Sequence, residues 1–253
     1  MRDAPAASEL RAGNYQSQRE ELAAVFRWSA RLGLHESVAN HFSLAVSDDS
    51  SRFLVNPDGR HFANMCAGDL LLLDSNATAT MQQANAPDAT AWAIHSAIHR
   101  NAPHARCVLH LHPKYATALS SLADRELPPI DQNTMRFFRR FAIDGDFDGM
   151  GLGDEAERLS TKLGEHSVLL LGNHGVLCVG ETVALAFNHL YYFERACRNY
   201  LTALASGLPL SVVPAEVAEK TARQWDLFIP KLASRHLQEI REILDREEPD
   251  YKS

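Results

Sequence analysis

Short apolar runs alternating with amphipathic stretches predict an α/β fold, a sheet with helices on its faces in a single domain spanning residues 1–253. Three observations carry this. Segments such as "RCVLHLH" and "GVLCVG" are strand-sized, residues 15–32 and 181–206 repeat their apolar residues at helical spacing, and no repeat or linker interrupts the chain. At 253 residues and 45% hydrophobic content, one large core suffices.

The first helix, over 15–32, is marked by Leu22, Val25, Phe26 and Ala30, with Gly33 as its stop. "HFSLAVS" and "RFLVNPDG" read as a strand pair, closed by the turn formers Asn56, Pro57, Asp58 and Gly59. "DLLLLDS" is a short buried strand. Asp88 caps the next helix, which ends before Pro103. After the strand "RCVLHLH", Pro113 begins a helix running to Leu122, and a loop-rich stretch follows that includes "LPPIDQNTMRFFRRF" and "DGDFDGMGLGD". A helix over about 154–165 precedes "SVLLL" and "GVLCVG", strands on either side of a GNHG turn. The long helix 181–206 ends at Gly207, and a charged amphipathic helix over about 216–246 follows.

Composition narrows the function classes. No run approaches the length of a membrane span, and "MRDAPAASELRAGNYQSQRE" has no apolar segment of the secretory kind. The net charge of −7 argues against nucleic acid or an anionic membrane as partner. Cys66, Cys107, Cys178 and Cys197 form no C-x-x-C pair, and three lie in apolar surroundings, as expected of reduced thiols in a cytoplasmic protein.

Histidines carry the chemistry. His110 and His112 are two apart on a strand and so project from one side. His174, in the turn after another strand, completes a three-nitrogen set that leaves coordination positions open, the mark of a catalytic metal centre. With 12 histidines in the chain, chance supplies about 0.6 H-x-H pairs, so spacing alone is weak. Context strengthens it, because both rings interrupt an apolar strand where an unpaired polar group costs about 1–3 kcal/mol. For His174 the competing reading is a hairpin-turn residue without any metal.

"LHLHPKYATALSSL", "LLLGNHGVLCVGETVALAFNHLYYFERAC" and "AIHSAIHRNAPHARCVLH" resemble the class II aldolase/adducin family over about residues 18–210, leaving 211–253 as a C-terminal helix and tail. The resemblance implies a three-layer α/β/α sandwich around a mainly antiparallel sheet. It also implies a divalent metal on His110, His112 and His174, zinc foremost, with manganese or another divalent ion as alternatives. Family members commonly form tetramers with sites near subunit contacts. A homo-oligomer is therefore expected, in which the C-terminal helix with Trp225, Phe228 and Tyr251 covers a neighbour's site.

Departures from the aldolases shape the functional expectation. Sugar-phosphate aldolases of the family carry a Ser-Ser-Glu triplet whose Glu is the acid/base. Here that triplet reads Ala89-Thr90-Ala91, and the carboxylate is gone. The phosphate-binding loops read Val38-Ala39-Asn40 and Pro57-Asp58-Gly59 and have lost most of their hydroxyl donors, so a sugar phosphate is not the expected substrate. Asn40 is the residual candidate for binding a substrate oxygen, against a backbone-capping role. Decarboxylation needs no base to start the cleavage, only later protonation of carbon, and some relatives in the family decarboxylate hydroxylated aromatic acids. His95, one helical turn past Ala91 with His99 a turn further, is the candidate acid/base or supporting partner, against plain packing.

"MRFFRRF" offers Arg136, Arg139 and Arg140, with Arg139 the candidate carboxylate clamp and a solvated basic face as the alternative. Lys114, Glu194 and Arg195 read as surface or fold-supporting charges. The expected function is a metal-dependent carbon–carbon lyase, decarboxylase or aldolase, acting on a small non-phosphorylated hydroxy or oxo acid. The alternatives are a metal-dependent dehydratase and a non-catalytic adducin-like binding module. Retention of all three histidines opposes the module, and actin binding is not expected without the adducins' long basic tail.

Overall fold

Seven strands form one sheet in the order β3-β2-β1-β4-β7-β6-β5, in a computed structural model that describes residues 15–77, 79–82, 86–146 and 149–253. The reading of the first fourteen residues, and part of the "DGDFDGMGLGD" reading, lie outside them. The strands are β1 (His41–Ala45), β2 (Arg52–Val55), β3 (Leu71–Asp74), β4 (Cys107–Leu111), β5 (Ala142–Asp144), β6 (Val168–Leu171) and β7 (Gly175–Gly180). The helices are α1 (Gln16–Arg31), α2 (Ala89–Asn101), α3 (Lys114–Ser120), α4 (Gln132–Arg136), α5 (Asp154–Leu163), α6 (Val183–Leu204) and α7 (Ala215–Glu247). Every pairing is antiparallel except β5 with β6, as the mainly antiparallel expectation required.

Period-2 alternation separates the layers. Cys107, Leu109, Leu111, Val168, Leu170, Val176 and Cys178 point into a large core shared with α1, α3, α6 and α7, while Val108, Leu169, Leu171, Leu177 and Val179 meet Ile94 and Ile98 of α2 and Leu159 and Leu163 of α5. Because both faces are covered, the central strands read as continuous apolar runs. The large core reaches from Leu22 to Tyr251, so the C-terminal helix packs into the same cluster as the first one. Among the described residues no helix is long and apolar enough to cross a membrane. Cys107, Cys178 and Cys197 are buried free thiols whose pKa burial pushes up.

Three local expectations need correction. β1 and β2 do pair, but they are joined through residues 46–51, where Asp49 accepts from the Ser47 and Ser51 hydroxyls, and Asn56–Gly59 follows β2 instead of closing the pair. The helix after Pro113 ends at Ser120, short of Leu122. The stretch read as loop contains α4 and β5. The five-residue α4 is fixed by Asp131, whose side chain accepts from the Thr134 N–H at 2.7 Å, and the three-residue β5 exists through parallel pairing with β6. Neither is long enough to show a period.

Candidate metal centre and its histidine network

β4 delivers His110 on the α2-facing side of the sheet and His112 just past the strand end, while the turn between β6 and β7 delivers His174. The GNHG sequence suits this turn: Asn173 sits in the left-handed region at φ 58°, and its carboxamide oxygen accepts from Arg125 at 2.7 Å. Gly175 permits a close approach, because a Cβ there would lie 2.5 Å from the Leu111 carbonyl oxygen and 2.6 Å from His112 Cδ2.

The three Nε2 atoms converge. His110–His112, His110–His174 and His112–His174 are separated by 3.2, 3.1 and 3.0 Å. His110 Nδ1 donates to the Val176 carbonyl at 3.2 Å, and His112 Nδ1 donates to Glu36 Oε2 at 2.6 Å. In neutral rings those two Nε2 atoms are then bare lone pairs facing each other, an arrangement that calls for a cation between them. Three tetrahedral corners around zinc stand about 3.3 Å apart, so the spacing fits a divalent ion. Among the described residues this is the only group of three or more potential ligands that converges this way. Burial holds the pKa of His110 well below the ordinary imidazole range and that of His174 at about 4, with the neighbouring His112 adding to the shift in His174, so these two rings are neutral at pH 7.

A second group of histidines lies behind this cluster. His41 of β1 stands directly opposite His110 in the strand register, their ring centroids 4.8 Å apart. His41 Nδ1 meets His95 Nε2 at 2.7 Å, His95 Nδ1 meets the Ser43 hydroxyl, and that hydroxyl meets His99 Nε2 at 2.7 Å. At the other end His41 Nε2 is 3.3 Å from the Thr90 hydroxyl, which donates to Asp88. All three rings are buried. Burial lowers His41 to about 4 and His99 to about 3, and it holds His95 well below its usual range.

The predicted residues are distributed unevenly. His110, His112 and His174 come together. His95 sits behind His41, and its two ring nitrogens meet His41 and Ser43, not the three converging rings. Asn40 is buried, and its Oδ1 accepts from the Glu36 N–H at 2.6 Å, so it braces the loop whose carboxylate orients His112. Its Nδ2 has no hydrogen-bond partner. Arg139 is not brought to the histidines within the chain. It lines a cavity of about 200 Å³ with Arg136, Arg140, His166 and His189, where β6 begins, at the opposite end of the sheet from the His174 turn. Arg136 there is buried against the Tyr192 ring at 3.6 Å, and Arg140 is paired with Glu219 and Asp226. Ala91, in the first turn of α2, is buried and brings no carboxylate.

Sequence reasoning missed Glu36 and His41. His41 did carry a signal, since it alternates with Phe42 in the manner of a strand residue facing the α2 side, but its pairing with His110 is a matter of register.

Fold and cluster together define an α/β/α protein with a three-imidazole cradle compatible with a divalent ion. The chain belongs to the Class II Aldolase and Adducin N-terminal domain family, whose profile matches residues 20–201. It is 33% identical over 217 residues to "Decarboxylase NovR" of Streptomyces niveus, covering 82% of this chain and 80% of that protein. It is also 33% identical to "4-hydroxy-3-prenylphenylpyruvate oxygenase/4-hydroxy-3-prenylbenzoate synthase" of Streptomyces roseochromogenus, covering 82% and 78%. An aldolase II superfamily protein from Pseudomonas syringae has a similar structure, with a TM-score of 0.87 at 30% identity, covering 98% of this chain and all of that one.

Proposed function

We propose that the protein is a metal-dependent carbon–carbon lyase of the decarboxylase type, acting on a small non-phosphorylated hydroxy or oxo acid. The convergence of three Nε2 atoms, 3.0–3.2 Å apart, carries the reading. His110, His112 and His174 hold the ion, zinc foremost. When bound, it supplies Lewis-acid stabilisation of the negative charge that develops on substrate oxygens as the bond breaks. Glu36 and the Val176 carbonyl orient two of the imidazoles. Carbon dioxide leaves with its carbon, the electron pair stays on the substrate carbon, and one proton must then be delivered there. No carboxylate at Ala91 is needed for that sequence, whereas aldol cleavage needs a base for the substrate hydroxyl.

Asn40 Nδ2 is the amide donor left for a substrate oxygen, and His95 is the partner that orients His41. Arg139 joins substrate binding only where another subunit of a homo-oligomer, a tetramer by family analogy, brings it to the cradle. The same reading takes residues 1–253 as one domain of a cytoplasmic protein, with a small molecule and neither nucleic acid nor membrane as its partner.

The name of one relative, an oxygenase, favours a second reading, in which the same cradle holds a redox-active ion and dioxygen is a co-substrate. One experiment separates the readings. Purified protein is assayed for bound metal and then, reloaded with zinc, manganese or iron(II), is offered hydroxy-aromatic acids, 3-oxo acids and sugar phosphates. Carbon dioxide released without oxygen uptake supports the decarboxylase, and oxygen uptake supports the oxygenase. Aldehyde release restores the aldolase, and loss of water marks a dehydratase. Protein that takes up no divalent ion leaves only a binding module.

A further inference from the structure

α3 lies between two of the converging imidazoles. It begins two residues after His112, and its last residue meets the turn that carries His174. Its first turn has no cap of its own, because Pro113 holds the N-cap position and offers no side-chain acceptor. Glu194 of α6 supplies one from outside the helix. Its Oε1 accepts from the Tyr115 N–H at 2.9 Å and its Oε2 from the Ala116 N–H at 2.8 Å. At the other end the Ser120 carbonyl accepts from the Asn173 N–H at 3.0 Å and from Arg125 Nε at 2.6 Å. Arg125 Nη2 donates to Asn173 Oδ1 at 2.7 Å, so one guanidinium ties the helix end to the residue before His174. Among the described residues both hydrogen bonds of Arg125 go to this junction, and neither is to a carboxylate. A Cβ on Gly172 would lie 3.3 Å from Arg125 Cζ, so the first glycine of the turn gives the fork room against the backbone.

We infer that Arg125 and Glu194 are positioning residues for the cradle: clamped at its two ends, α3 sets where the His174 turn sits relative to His112. The inference rests on the reading of the three imidazoles as metal ligands and on nothing about the reaction. A seven-residue helix is a stiff spacer about 10 Å long, at about 1.5 Å per residue. The turn is thereby fixed on two sides, against the end of α3 through Asn173 and against β4 through Gly175, where a Cβ would lie 3.3 Å from His112 Cα. Without Arg125 the side-chain tie on Asn173 is lost, and the turn is held to α3 by the Asn173–Ser120 backbone bond. Without the Glu194 carboxylate, the start of α3 just past His112 loses its acceptors. Either loss loosens the 3.0 Å separation between the His112 and His174 Nε2 atoms.

The test is zinc titration of metal-free protein by calorimetry, with the visible spectrum of the cobalt(II)-loaded protein as a readout of ligand geometry. Arg125→Ala and Glu194→Gln are each expected to weaken zinc binding by about tenfold and to shift the cobalt(II) bands, because all three imidazoles remain but their placement loosens. Arg125→Lys keeps the charge without the fork and is expected to bind as Arg125→Ala does. Because both residues act through one helix, the double variant is expected to lose less than the product of the two single effects. Leu237→Ala, a core truncation on α7 outside this junction, controls for general destabilisation and is expected to bind zinc as wild type does. Wild-type zinc affinity and cobalt spectrum in either single variant, the full product in the double variant, or equal weakening in Leu237→Ala overturns the inference and leaves the three ligands standing. Wild-type protein that takes up neither ion overturns the ligand reading and the inference with it. If Glu194→Gln does not fold, the two Arg125 variants decide.

Discussion

Two groups of histidines share one side of the sheet, and their geometry assigns them opposite work. In the first, three Nε2 atoms crowd within 3.2 Å of one another, with two Nδ1 atoms turned away to Val176 and Glu36. In the second, His41, His95 and His99 meet end to end, with Ser43 between the last two. Convergence of lone pairs asks for a cation, and an end-to-end arrangement lets each contact be filled by one proton. The same residue type thus makes a converging cluster that fits a cation at the strand end and a hydrogen-bonded polar core one layer behind it.

Substitution in each group should separate the two roles. His112→Ala or His174→Ala is expected to lower divalent-metal affinity by about 10³-fold, since each removes one of the three proposed ligands, with little change in the melting of metal-free protein. Isothermal titration with zinc checks this, and wild-type affinity in either variant would break the contrast. His95→Ala should do the reverse. It strands buried partners on both sides and leaves a cavity, costing about 2–4 kcal/mol of stability in denaturant titration, while metal stoichiometry is retained.

Glu36→Gln sharpens the comparison from outside the cluster. It keeps the shape but weakens the acceptor for His112 Nδ1, and a drop in metal affinity of about 10- to 100-fold is expected. The gentlest effect is on pH. An unfolded imidazole titrates near 6.5, whereas folded His41 and His99 titrate near 4 and 3, so the unfolded chain binds more protons between those values. Metal-free protein should keep this contribution above about pH 6.5 and lose it on acidification, by about 1.4 kcal/mol per pH unit for each ring. A flat stability profile from pH 6.5 to 4.5 would contradict burial of neutral rings.

Much of this was legible in residue order, and particular elements show why. Asp88 announced the start of α2, and strand alternation placed His110 and His112 on one side. GNHG announced the tight turn carrying His174, though the close approach of Gly175 to the Leu111 carbonyl appears only in three dimensions. The segment holding α4 and β5 failed as a reading because three to five residues are too few for a period, and β5 depends on a partner strand far along the chain. Arg139 looked suitable by chemistry and composition, yet the start of β6 carries its neighbourhood to the far end of the sheet.

The sequence by itself determined the class of fold, through local periodicity and turn chemistry, and strand alternation set His110 beside His112, while His174 joined them as a candidate only through the family resemblance. Only the tertiary structure decided that His41 lies against His110, that Glu36 reaches His112, and that His95 faces a chain of hydroxyl and imidazole partners. Those relations depend on strand register and helix docking, which join residues more than fifty positions apart and leave no period in the sequence to read.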